Sequence, residues 1–344
     1  MKTTLELIEK TESLRALTRT EAEGLMEELL SGQMETADIV RLLLALNLRE
    51  ITSPELTGFA SVMRRHAAPV FRPGEPRPES LLDTCGTGGD GVGTFNISTA
   101  AAFVSAAAGA RVAKHGNRSV SSRSGSADVL EALGVRIDLP LEKSGQAIRE
   151  LGIGFLFAPT AHAATRHAVP ARKQIAKRTV FNLLGPLTNP AGAENQLLGV
   201  YSADRIDLMA ATLNELGVGR AFVVHGSGGL DEFSLAGETL VAEVRNGSVK
   251  RMVVTPEDFA LPCSSLEVLQ GGVPAENAAL IHSLFEGESG PRRDVVVMNA
   301  AAALVVAGIA GDFREAAALA ARAISSGAAR DKLERFIAFT NSVA

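Results

Sequence analysis

Between Asp83 and Thr99 the chain reads Asp-Thr-Cys-Gly-Thr-Gly-Gly-Asp-Gly-Val-Gly-Thr-Phe-Asn-Ile-Ser-Thr, with glycines at 86, 88, 89, 91 and 93. Glycine lets a backbone approach a ligand closely and turn through positive φ. The block joins a strand-like run to a helix-like run, so the free N–H groups of the helix start face whatever the loop holds. Asn96, Ser98 and Thr99 add side-chain donors. The natural ligand of such a nest is phosphate or pyrophosphate. Gly86, Gly88 and Gly91 also spell G-x-G-x-x-G. A dinucleotide site expects an acid about twenty residues on. Here Arg111 and then Lys114-His115-Gly116-Asn117-Arg118 occupy that stretch, which sets the nicotinamide reading aside. A bare tight turn needs neither five glycines nor the donors.

Three further blocks carry chemistry. Residues 114–126 hold three cations and five serines, beginning with Lys114 at an expected strand end and closing on Ser126. Cations neutralise phosphate and hydroxyls complete its hydrogen bonds; the plainer reading is a solvated loop. Asp231-Glu232 follow an apolar run and the turn Gly226-Ser227-Gly228-Gly229. Paired hard oxygen ligands beside a phosphate site suit Mg²⁺. Arg172 stands near the start of an expected helix that a Gly185-Pro186 pair stops, and its guanidinium could hold a carboxylate bidentately. No acid pair suggests glycosidase chemistry, and no Ser-His-Asp or Cys-His arrangement exceeds chance.

These loops need elements to position them. Residues 1–70 read as helical: Thr20 and Glu23 have capping-box spacing before Leu25, Met26, Leu29 and Leu30. Leu42, Leu43, Leu44 and Leu46 form a second stripe, and Ser53-Pro54-Glu55 starts a third helix carrying Leu56, Phe59, Val62 and Met63. Residues 71–80, rich in Pro and polar groups, read as a linker. Beyond them strands are expected at 80–83, 111–114, 153–157, 196–201 and 221–225. Helices are expected at 98–108, 127–133, 141–151 and 203–216, with Gly109, Gly134, Gly152 and Gly217 as C-terminal caps. That alternation means an α/β fold with a mostly parallel central sheet. Residues 239–244 and 249–254, joined by Asn246-Gly247, read as a hairpin with a type I′ turn. Helices at 295–306 and 315–325 follow.

Composition narrows the classes. Lys plus Arg number 34 against 39 Asp plus Glu, a net charge of −5, which argues against a protein held to nucleic acid by bulk charge. The longest uninterrupted apolar run, 300–311, falls short of the roughly 20 residues of a membrane helix. The acidic start argues against a signal peptide. Cys85 and Cys263 are the only cysteines, which excludes a disulfide framework and leaves a cytoplasmic location as the expectation.

Taken in order, Gly86-Thr87-Gly88-Gly89-Asp90, Lys114-His115-Gly116-Asn117-Arg118 and Asn182-Leu183-Leu184-Gly185-Pro186-Leu187 closely resemble the anthranilate phosphoribosyltransferase family, over essentially the whole chain. The resemblance implies a small helical domain (1–73, joined in space by helices at about 166–188), a large α/β domain (79–344), and a homodimer through the helical part. It implies transfer of a phosphoribosyl group from phosphoribosyl pyrophosphate to the amine of anthranilate with Mg²⁺, two ions being expected. By motif, the donor would meet Gly86, Gly89, Asp90, Thr94, Asn96, Thr99, Lys114, Ser122 and Ser126. Anthranilate would meet Gly86, Asn117, Arg172 and Gly185; the metal would meet Ser98, Asp231 and Glu232. Lys114, His115 and Arg172 would be catalytic. The family usually reads His-Pro-Ala-Met where this chain has His162-Ala163-Ala164-Thr165, giving up the rigidity of Pro and the apolar reach of Met. Two rivals share the architecture. A pyrimidine nucleoside phosphorylase would not need the Asp-Glu pair. A nucleic-acid-binding paralogue would be basic and would have lost site residues.

Overall fold

The computed structural model describes residues 2–119 and 123–343. Four helices open the chain: α1 (Thr4–Glu12), α2 (Arg19–Leu30), α3 (Thr36–Leu46) and α4 (Ser53–Arg65). Two of their starts differ from the sequence expectation. The capping box of α2 is Thr18 with Glu21, two residues before the expected Thr20 and Glu23. That of α4 is Thr52 with Glu55, so Ser53 and Pro54 lie inside the first turn. Threonine is as good a cap as serine, and local spacing alone could not choose between registers. Glu55 is buried, and it also accepts the Leu17 N–H at 2.9 Å and pairs with Arg49. Removing any one partner would strand a charge in the helical core.

The remainder is α/β. In order come β1 (Leu81–Gly86), α5 (Ile97–Ala107), β2 (Arg111–Gly116), α6 (Ser126–Ala132), α7 (Leu141–Leu151) and β3 (Ile153–Phe157). Then follow α8 (Ala158–Ala161), α9 (Val169–Ile175), α10 (Phe181–Leu187), β4 (Asn195–Gly199), α11 (Ile206–Glu215) and β5 (Arg220–Gly226). The chain ends with β6 (Thr239–Arg245), β7 (Ser248–Val254), α12 (Pro274–Phe285), α13 (Pro291–Val306), α14 (Phe313–Ser325) and α15 (Ala328–Ser342). The seven strands form one sheet in the order β3-β2-β1-β4-β5-β6-β7. The first four pairings are parallel, and β6 and β7 add antiparallel. The hairpin turn has φ of 50° at Asn246 and 80° at Gly247, as a type I′ turn requires.

Strand residues alternate between two cores. Leu197, Phe222 and Val224 join the side built on α5, α13, α14 and α15. Leu198, Val223 and Ala242 join the side shared by α1–α4, α9, α10 and α11. Helix α13 is buried on nearly every face, and its alanines let it pack closely against the equally alanine-rich α5. Strand β1 runs three residues beyond its expected end at 83, because its pairing with β4 continues to Gly86 and Gly199. Strand β4 stops at Gly199, two residues short of expectation. The single helix expected around Arg172 is two: α9 ends where Ala176 turns left-handed (φ 51°), which places Arg172 in its last turn.

Candidate active site

The sheet prepares a crevice. Strands β1 and β2 pair only at Leu81–Arg111 and Leu82–Val112. Above that level the Asp83 carboxylate accepts the His115 N–H at 3.0 Å, so a side chain replaces the ladder and the strands part. On its other side β1 pairs with β4 to its last residue. The chain leaves β1 toward β2 and leaves β4 toward β5, which makes the β1/β4 boundary a topological switch point, the place where open α/β sheets bind ligands.

The acid pair lies on this boundary. After β5 the chain reverses tightly: Gly226 N–H donates to Leu230 O at 2.8 Å, returning Asp231 and Glu232 over the strand ends. A Cβ on Gly199 would overlap the Asp231 carbonyl, and one on Gly86 would lie 2.7 Å from Asp231 Oδ2. Both strands therefore end in glycine because the acidic segment occupies the space. Burial raises both carboxyls well above their ordinary values, helped by the charge of Asp90 on Asp231 and of Asp231 on Glu232; the charge of Lys114 and a hydrogen bond from Ser98 pull Glu232 back down. Asp90 also faces the pair, and the Asp231 N–H points to its Oδ2 at 3.5 Å. Like charges held together in hard oxygen ligands are what a divalent cation relieves, so these residues fit Mg²⁺. Among the described residues no set of three or more His, Cys, Asp and Glu is arranged to hold a metal ion by itself.

The glycine loop is tied at both ends. Gly88 N–H donates to Asp231 Oδ2, Thr87 N–H to Gly199 O at 2.9 Å, and Thr94 bridges Gln270. Asn96 forms the start of α5, where its amide bonds Ser124 and Asn277. Thr99, in the first turn of the same helix, is buried with a hydroxyl that has no partner among the described residues. Lys114 lies between the parted strands, its Nζ donating to Thr84 O, and burial lowers its pKa. Ser126 opens α6, with its hydroxyl on Asn117 O at 3.3 Å. Ser122 lies outside the described residues.

Across the crevice, His115 and His162 meet edge to face, their ring centres 5.2 Å apart. Burial pushes His115 down to about 3, so its imidazole is neutral. With Nδ1 3.2 Å from Gly185 O, the proton belongs there, and the buried Nε2 has no partner among the described residues. His162 bonds Thr188 O at 2.9 Å. In the departing segment the Thr165 hydroxyl donates to His162 O at 2.7 Å, a tie that restores stiffness a proline would otherwise give. Arg172 is half-buried over the Phe181 ring at 5.2 Å and has no carboxylate partner among the described residues. Asn117 is exposed, and no hydrogen bond joins it to Arg172 among the described residues.

Three functional contributors escape motif reading. Asp83 opens the sheet. Asn299 of α13 accepts Phe233 N–H and donates to Phe233 O, pinning the chain immediately after Glu232; a lone Asn inside Val-Val-Val-Met-Asn-Ala-Ala-Ala-Ala-Leu was its signal. Arg178 stacks on Tyr201 at 4.3 Å and hydrogen-bonds Gly89 O, filling the space beside Gly89.

Residues 78–330 match the a/b domain of a glycosyl transferase family, and residues 5–67 match that family's helical bundle domain. A relative from Pelotomaculum thermopropionicum, named anthranilate phosphoribosyltransferase, is 52% identical over 98% of this chain and 96% of its own length. The crystal structure of anthranilate phosphoribosyltransferase from Thermus thermophilus superposes with a TM-score of 0.91 at 46% identity, covering 97% of this chain and 99% of that one. The enzyme of that name from Saccharomyces cerevisiae, in complex with PRPP and Mg, gives a TM-score of 0.89 at 28% identity, covering 98% of each chain.

Proposed function

The chain belongs to the anthranilate phosphoribosyltransferase family, and from that premise we propose which of its residues carry the reaction. It is an enzyme of tryptophan biosynthesis that transfers the 5-phosphoribosyl group from phosphoribosyl pyrophosphate to the amine of anthranilate. The observation that carries the assignment of roles is the hydrogen bond from Gly88 to Asp231, which brings the phosphate-type loop and the acid pair to one point of the switch.

Pyrophosphate takes the loop amides of Gly86 and Gly89, with Asp90, Thr94, Asn96, Ser122 and Ser126 around the donor and the unpartnered Thr99 hydroxyl beside the helix start. Ser98, Asp231 and Glu232 would hold Mg²⁺, which when bound would supply positive charge to the leaving pyrophosphate; we read two ions. Lys114 adds a fixed cation from between β1 and β2. Arg172 and Asn117 take the anthranilate carboxylate, with Gly86 and Gly185 against its ring. The amine is a neutral aniline-type nitrogen at pH 7 and needs no strong base before it attacks the anomeric carbon, so orientation dominates. His115 suits that orienting role. Neutral, and with its Nδ1 proton committed to Gly185 O, it presents Nε2 as a hydrogen-bond acceptor.

The helical unit spans 1–73 with the 166–188 helices against it, and 79–344 form the α/β unit. A homodimer through the helical part is supported by exposed Leu5, Leu44 and Leu48. A cytoplasmic setting agrees with two free cysteines. The test is direct: purified protein, Mg²⁺, phosphoribosyl pyrophosphate and anthranilate are mixed and anthranilate fluorescence is followed. Its loss should require both donor and metal; persistence of fluorescence with all components present would overturn the reading.

A further inference from the structure

The second half of the glycine loop is backed by a distant segment. Residues 269–272, just ahead of α12, run along residues 92–95. The Phe95 N–H donates to Leu269 O at 3.1 Å, the Gly271 N–H to Gly93 O at 3.0 Å, and the Gln270 side-chain amide to Val92 O at 2.9 Å. A Cβ on Gly271 would lie 2.6 Å from Phe95 N and 2.8 Å from Asn277 Oδ1, so this close approach needs glycine.

Asn277, in the first turn of α12, carries the backing into the donor site. It is 1% exposed, and both ends of its amide are used. Oδ1 accepts the Gly272 N–H at 2.8 Å, and Nδ2 donates to Asn96 Oδ1 at 2.9 Å, from 181 residues away in the chain. Elementary chemistry fixes the direction of this relay. A backbone N–H can only donate, so the Asn277 oxygen must face Gly272 and its NH2 must face Asn96. Asn96 must then turn its oxygen to Asn277, where the Ser124 hydroxyl also donates to it at 3.1 Å, and its NH2 to Ser124 O at 3.2 Å. One N–H of the Asn96 amide is left without a partner among the described residues, at the start of α5 where the glycine loop ends. Leucine would fill the space of Asn277 as well; what the amide adds is a sense of direction.

We propose that Asn277 is a positioning residue for the phosphoribosyl donor: through Gly272 it decides which end of the Asn96 amide faces that substrate. The inference rests on the placement of Asn96 at the donor. Presented as N–H, the free end donates to a donor oxygen; presented as oxygen, it repels one.

Two substitutions separate direction from packing. Asn277→Asp keeps the size and the acceptor for Gly272 but sets a second oxygen against Asn96 Oδ1. The carboxylate and Ser124 O then compete for the one Asn96 NH2. Asn277→Ala unpins Asn96 without repelling it and buries no charge, so it gives the same readouts if the aspartate variant does not fold. Donor and anthranilate KM are measured with Mg²⁺ at about pH 8, where a carboxyl is ionised. Each substitution is made in the wild type and in Asn96→Ala, and urea unfolding is followed beside the kinetics. The donor KM should rise about 10-fold in Asn277→Asp and about 3-fold in Asn277→Ala, the range of one lost hydrogen bond, while the anthranilate KM moves less than about 2-fold. In the Asn96→Ala background neither substitution should raise the donor KM further, because a residue that acts through another has nothing left to act on. Equal rises in both backgrounds, or both KM values climbing together with lost stability, would make Asn277 a packing residue and overturn the proposal. So would an unchanged donor KM in both variants. An Asn96→Ala donor KM equal to wild type would instead refute the placement of Asn96, and this inference with it.

Discussion

The backbone N–H of Gly88 donates to Oδ2 of Asp231 across 2.9 Å, although 143 residues separate them in the chain. The loop we assign to phosphate and the carboxylate we assign to metal are thus joined directly. Neither can be displaced without loosening the other, and the glycines at 86 and 199 keep the ground beneath Asp231 clear.

Activity and stability should respond oppositely to neutralising the acid pair. Asp231→Asn with Glu232→Gln removes two carboxyls whose charged forms burial and neighbouring acids disfavour. Without Mg²⁺ the variant should melt no lower than wild type at pH 7. Its turnover should fall by about 10²-fold or more, because the charge that receives the metal is gone. Differential scanning with and without Mg²⁺, beside steady-state rates, checks both halves; near-normal turnover would remove the metal assignment.

Arg172 should act on one substrate. Its guanidinium rests on Phe181 with no carboxylate beside it among the described residues, so its removal breaks no ion pair of the fold. Arg172→Ala should raise the anthranilate KM about 10- to 100-fold, the worth of hydrogen bonds to a charged group, and move the donor KM far less. Arg172→Lys should restore little, since an ammonium lacks the planar fork. The reverse KM pattern would put this arginine on the donor.

Asn299 should matter without touching substrate. Its amide bonds both backbone groups of Phe233 and also Val295 O at 2.9 Å. Asn299→Leu keeps the volume and leaves the Phe233 N–H and C=O buried and unpaired, at about 1–3 kcal/mol for each such group. Urea unfolding should register that loss. A rise in the Mg²⁺ concentration needed for half-maximal rate would show that Glu232, one residue earlier, had lost its placement. Full stability would refute the pinning role.

Much of this arrangement was legible beforehand. The five parallel strands, the hairpin and the helical start follow from periodicity and turn residues. The glycine loop, Lys114 and the acid pair follow from composition at strand ends. What escaped has a common cause. Gly86 read as loop and Gly199 as an interior position of a strand running to 201, yet both end their strands where tertiary packing demands the missing Cβ. The split of one expected helix into α9 and α10 depends on Ala176 accepting positive φ, which no local propensity favours. Asp83, Asn299 and Arg178 act on residues 32, 66 and 89 positions away, distances over which spacing carries no signal.

The facing histidines should push the fold toward acid lability. Burial holds His115 at about 3 and His162 at about 4, against an ordinary 6.5, so both stay neutral when folded. The unfolded chain gains two protons below about 6.5 that the fold refuses, and stability present above that pH is lost as it falls toward 4. Asp83 opposes: burial raises it from 3.8 to about 6, so its contribution is full below 3.8 and disappears as pH rises through 6. Asp231 and Glu232, also raised by burial, would oppose in the same direction as Asp83, so the balance is read in the Asp231→Asn, Glu232→Gln background, where between pH 4 and 6 two imidazoles act against one carboxyl and net stability should fall on acidification. His115→Asn keeps a donor where Nδ1 meets Gly185 O, and His162→Gln keeps one where Nε2 meets Thr188 O. With both histidines replaced in that background only Asp83 remains of the three, so urea midpoints between pH 6 and 4.5 should flatten or climb as acid is added. A downward slope as steep as that of the parent with both histidines would show that acid lability originates elsewhere in the molecule.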